Sequence, residues 1–81
     1  MATQPIAYYK KKIAEAQTKE ELRQISYLAL RDDDECMVFS RKMERIDALC
    51  LLREAELGLL PNDPEMIATY RKVAKTGKMP L

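Results

Sequence analysis

The sequence predicts an all-α fold: a small single domain of four helices over residues 1–81, with one long central helix near residues 34–57 covered by a helical hairpin and a C-terminal helix. Three observations carry that prediction. Residues 34–57 contain no Gly or Pro, and at helical spacing Cys36, Phe39, Met43, Ile46 and Cys50 form one apolar stripe, with Arg41, Lys42, Glu44, Arg45 and Asp47 off it. Both glycines and all four prolines fall at inferred element boundaries. No window alternates as a strand does.

The first helix is expected near residues 4–17, with Thr3 a cap for it and Pro5 tolerated in its first turn. Ile6, Tyr9, Ile13 and Ala16 make its inner face, and Lys10, Lys11 and Lys12 turn away from it. Residues 1–4 are expected to fray. Thr18 followed by Glu20 and Glu21 is a helix-start signal, because the hydroxyl can accept from the N–H three residues on. The second helix, near residues 19–30, buries Leu22, Ile25, Leu28 and Ala29. Asp32, Asp33, Asp34 and Glu35 end it and suit the positive end of the third helix, with Asp32 or Asp33 as that helix's cap.

At Ala48, Leu49, Cys50, Leu51 and Leu52 the stripe widens to a full turn without a polar side chain, at about 100° per residue. That turn needs cover on every side. Gly58 fits the left-handed residue that ends a helix, after which Leu59 and Leu60 fold back. Asp63 and Pro64 begin the fourth helix, near residues 64–76, which turns Ile67, Tyr70 and either Val73 or Ala74 inward and stops at Gly77, leaving residues 78–81 loose. Glu54 and Glu56 sit at the C-terminal end of the third helix, where the dipole disfavours anions by about 0.3–1 kcal/mol each. Lysines of the first or fourth helix are the expected partners.

Composition bounds the function. Lys and Arg number 14 against 13 Asp and Glu, a net charge of +1, so net charge alone does not attract nucleic acid or an anionic membrane. No apolar run reaches the ~18 residues of a membrane span, and no signal peptide is read, so a cytoplasmic protein with no membrane partner is expected. Cys36 and Cys50 are fourteen residues apart, about 21 Å along a single helix, too far for a disulfide, and are expected as buried thiols.

The chain has no histidine, which removes the commonest general base and metal ligand together. Two cysteines make no zinc site, two isolated glycines build no phosphate loop, and Ser26 and Ser40, read inside helices, have no base to activate them. No enzyme, no cofactor and no metal is expected. The residues left for function are charged faces. Asp32, Asp33, Asp34 and Glu35, with Glu54 and Glu56, are the candidate contacts for a protein partner. Lys10, Lys11, Lys12, Arg41, Lys42 and Arg45 are the candidate contacts in the alternative, a small nucleic-acid-binding protein. Three short covering helices would leave part of a helix spanning residues 34–57 bare, so a homodimer through its stripe is also expected.

The run Ala-Gln-Thr-Lys-Glu-Glu-Leu-Arg-Gln-Ile from Ala16, the acidic turn, and Lys-Met-Glu-Arg-Ile-Asp-Ala-Leu-Cys-Leu-Leu-Arg-Glu-Ala-Glu-Leu from Lys42 resemble small helical accessory proteins of bacteriophages and prophages, over about half the chain. That resemblance implies a non-enzymatic modulator that binds a host protein, either a defence nuclease such as a CRISPR effector or a replication or transcription factor; a structural connector of a virion is a further alternative. Residues 40–47 also resemble the signature helix of small sporulation phosphatases, but Glu44 stands where that signature has Asp and the spacing differs, so that activity is not carried over.

Overall fold

The computed structural model describes residues 3–78, and these form four helices: α1 Ile6–Glu15, α2 Lys19–Asp32, α3 Arg41–Glu56 and α4 Pro64–Thr76. Among the described residues there is no strand, and no helix is long and apolar enough to cross a membrane. The Cα radius of gyration is 12.0 Å, close to the ~12 Å of a tightly folded chain of this length.

Cross-contacts fix the direction of each helix against α3. Tyr9 and Lys42 meet at the Asp33 carboxylate, and Arg53 Nε donates to the Ala16 carbonyl at 3.0 Å, so α1 runs parallel to α3. The Ser26 hydroxyl reaches Asp47 at 3.1 Å and the Cys50 thiol reaches the Leu22 carbonyl at 3.8 Å, so α2 runs antiparallel to it. Arg45 Nε donates to the Ala74 carbonyl at 2.9 Å, which makes α4 antiparallel as well. All three helices touch α3, and among the described residues α4 touches no other helix.

Tyr9, Ile13, Leu22, Ala29, Met43, Ile46 and Cys50 form the core, joined by Ala16 and Cys36 from the loops. Val73 is buried where α4 lies on α3. No residue from Lys42 through Ala55 is exposed: Ala48 and Cys50 are buried, and Leu49, Leu51 and Leu52 are half-buried.

Local signals explain the helix ends. Thr18 accepts from the Glu21 N–H at 3.2 Å and starts α2. Asp63 accepts from the Glu65 N–H at 3.0 Å with Pro64 in the first turn of α4. Gly77 ends α4 at φ 72° and Gly58 follows α3 at φ 76°, both left-handed conformations that glycine adopts without Cβ strain.

Five helix ends differ from the sequence expectation, two of them only slightly: α1 ends at Glu15 and α3 at Glu56 rather than near residues 17 and 57. The third helix starts at Arg41 rather than near residue 34, because its cap is Ser40, whose hydroxyl accepts from the Met43 N–H at 3.2 Å. Asp33 instead closes α2, and its backbone carbonyl accepts from the Cys36 N–H at 2.9 Å to make a turn. The second helix accordingly runs to Asp32, two residues beyond expectation. The first helix begins at Ile6, with Pro5 preceding it and no side-chain cap, so Thr3 does not cap. Ser40 therefore lies at a helix start and not in an interior, and the cysteines do not share a helix; both remain free and buried. Of the terminal residues expected to be loose, 1–2 and 79–81 lie outside the described residues.

Candidate functional site

The shortened α3 releases residues 33–40 as a loop, and that loop carries the most exposed apolar side chains of the described chain. Met37 is 69% exposed, Val38 64% and Phe39 87%. Phe39, placed by its spacing on the buried stripe, lies outside the fold. Tyr27 and Leu30 on α2 are exposed too, and they share a groove of about 380 Å³ with Val38 and Phe39. Scattered exposed apolar residues are ordinary; three in succession beside two more are not.

The loop is fixed from below. Asp33 Oδ2 accepts from the Tyr9 hydroxyl at 2.7 Å, the Gln4 N–H at 3.1 Å and Lys42 Nζ at 2.9 Å, while Oδ1 accepts from the Glu35 N–H at 2.9 Å. Lys42 also reaches Glu35 at 2.8 Å. Burial by itself would raise the Asp33 pKa, but the hydrogen bonds from Tyr9, Lys42, Gln4 and Glu35 outweigh it and hold the carboxyl well below the usual range. Burial, and then the bond to Asp33, push the Tyr9 hydroxyl up. Cys36, 1% exposed, plugs the loop into the core. At the far end the Ser40 N–H donates to the Met37 carbonyl at 2.9 Å, which turns the chain through Phe39 at φ 66°. A bulky residue in that left-handed region costs of order 1–3 kcal/mol, and such strain persists only where the surroundings enforce it. Here Asp33, Cys36 and the Ser40 cap enforce it.

The charged residues singled out from the sequence do not form one surface. Asp32 pairs with Arg31 at 2.8 Å, Asp33 is buried, Glu35 binds Lys42, and Asp34 is exposed. Glu54 and Glu56 lie at the other end of α3, a helix about 24 Å long. Glu56 pairs with its neighbour Arg53 at 3.0 Å rather than with a lysine of α1 or α4, and Glu54 is buried facing the seam with α2. Of the basic set, Lys10, Lys11, Lys12 and Arg41 are exposed, Lys42 is held by Asp33 and Glu35, and Arg45 is held by the Ala74 carbonyl.

Comparison with protein-family models, with curated proteins and with solved structures returns no match. Burial pushes both the Cys36 and the Cys50 thiols up to about 11, so both are protonated at neutral pH and poorly nucleophilic. The larger groove between α1 and α2, about 650 Å³, has Lys12, Glu15, Glu20 and Glu21 around Ile25 and Leu28. Its lining includes one exposed large apolar side chain, Tyr8, whereas the α2–α3 loop with the adjoining face of α2 gathers five of the seven exposed large apolar side chains of the described residues.

Sequence reasoning missed Met37, Val38 and Phe39 because Cys36, Phe39 and Met43 keep helical spacing, which placed all of residues 34–40 inside the third helix. The signal against that stripe was Ser40, a cap residue directly ahead of the periodic run, together with acidic turn-formers seven residues before it.

Proposed function

We infer that the protein is a non-enzymatic binding module that acts by occupying a surface of another protein, with Met37, Val38 and Phe39 as its contact. The observation that carries this is Phe39, an aromatic side chain held almost wholly in solvent on a strained but anchored backbone. Aromatic anchors on preorganised loops supply a large share of binding energy in protein interfaces, because little ordering cost remains when the partner arrives. The likeness of residues 16–25 and 42–57 to phage accessory proteins supports a host protein as the target, a defence nuclease or a replication or transcription factor, which the module inhibits or redirects. Lys42 is held by Asp33 and Glu35 and Arg45 is tied through Nε to the Ala74 carbonyl, which favours a protein over nucleic acid as partner.

The test is Val38→Asp beside Lys11→Glu. Both positions are exposed, so both variants should melt within about 0.5 kcal/mol of the wild type. Val38→Asp should lose the partner that the wild type retains on purification from its native host, and Lys11→Glu should keep it. Retention by Val38→Asp with loss by Lys11→Glu contradicts the assignment.

A further inference from the structure

The α2–α3 loop surface has a chemical character that narrows its partner, and the inference drawn from that character rests on the docking assignment and deepens it. The groove beside the loop has apolar walls, Tyr27, Leu30, Val38 and Phe39, and two carboxylates from α3, Glu44 and Asp47. Neither carboxylate has a cation within 4.0 Å among the described residues. Asp47 receives one hydrogen bond, from Ser26 at 3.1 Å. Its pKa is raised because burial outweighs that bond. The cations nearby do not neutralise them: Arg31 lies over the Tyr27 ring at 5.7 Å and is paired with Asp32, and Lys19 and Arg23, which line the adjoining α2–α3 groove with Asp47, come no nearer than 4.0 Å to its carboxylate. A half-buried carboxylate with a single neutral donor has unspent affinity for a cation.

Volume and charge then limit the occupant. About 380 Å³ lies at the low end for small-molecule sites and suits one or two side chains from a protein. The unpaired acidic residues, Asp34 on the same loop and Glu44 and Asp47 within the groove, repel phosphate-bearing partners such as nucleic acid or anionic lipid. Arginine and lysine combine what the groove offers, an apolar stem with a cationic head. We propose that the partner is a protein segment carrying an arginine or lysine next to an aromatic or aliphatic residue. The basic stem lies along Tyr27 and Leu30 with its head at Glu44 and Asp47, and the apolar neighbour packs on Val38 and Phe39.

The test uses a random peptide library displayed and panned on the whole protein. Enriched peptides are then measured by fluorescence anisotropy against wild type, Phe39→Ala and the double variant Glu44→Gln/Asp47→Asn, all checked by melting. The expected peptides place a basic residue beside an apolar one, with affinity falling about tenfold or more for each variant and weakening as salt rises. Peptides that need Phe39 but lack a basic residue and ignore the carboxylate variant overturn this inference while leaving the docking loop intact. Peptides indifferent to Phe39 overturn both. Where no peptide enriches, light scattering decides between a second copy as occupant, shown by self-association lost in Phe39→Ala, and no docking surface at all; either result overturns the proposal.

Discussion

Replacing Phe39 should stabilise the protein while removing its function. The backbone there is left-handed at φ 66°, which costs an ordinary residue about 1–2 kcal/mol. Glycine removes that strain and gives back about 0.5–1 kcal/mol through the greater freedom of the unfolded chain. Asparagine keeps a little strain and avoids most of that entropy. The lost burial is small: with Phe39 87% exposed, little of the ~1.5–3 kcal/mol of a fully buried aromatic is at stake. Phe39→Gly and Phe39→Asn should each therefore gain about 0.5–1 kcal/mol, a rise of a few degrees in Tm for a domain of this size. Urea titration followed by circular dichroism, with unchanged m-value, measures this. A loss of more than about 1 kcal/mol in both variants would mean that Phe39 packs inside a helix that continues upstream of Arg41, and would refute both the loop and the docking assignment.

Three further outcomes are expected from the same structure. Asp33 has a depressed folded pKa, so its contribution is full above the ordinary carboxylate value near 3.9 and is lost as pH falls toward the folded value; acid titration of stability should show this loss, and Asp33→Asn should flatten it while costing about 3 kcal/mol at pH 7. Cys36 and Cys50, with thiols pushed up to about 11 and both buried, should react with a disulfide reagent at pH 8 only at the rate of unfolding, and a fast native phase would contradict their placement. Alanine at Gly77 should cost well over the ~1 kcal/mol of left-handed strain alone, because its Cβ would stand 2.5 Å from the Arg41 carbonyl oxygen, whereas alanine at Gly58 meets nothing within 4 Å and should cost about that strain; equal losses in thermal melts would argue against the packing of α4 on α3.

The helices were legible wherever a local signal and the apolar period agreed. Thr18 ahead of Glu21, Asp63 ahead of Pro64, and Gly58 and Gly77 after their helices each mark an end that side-chain or backbone chemistry dictates. The α2–α3 loop was not legible, because Cys36, Phe39 and Met43 keep helical spacing even though only Cys36 and Met43 are buried there. Periodicity reports which residues share a face if a helix forms; it does not report that Asp33 and Ser40 satisfy the backbone better as turn and cap. The site was hidden for the same reason, since its apolar residues were counted as core. Of the charged residues offered instead, the acidic ones are divided between two ends of α3, Lys42 and Arg45 are engaged within the fold, and Lys10, Lys11, Lys12 and Arg41 remain exposed.

Site-specific photo-crosslinking tests the docking loop most directly. With p-benzoylphenylalanine introduced in place of Phe39, and in a parallel protein in place of Lys11, irradiation in the native host should join a discrete protein to the first and nothing comparable to the second. Crosslinks to a protein or to nucleic acid through position 11 alone would place the working surface on the basic face of α1 and contradict the account.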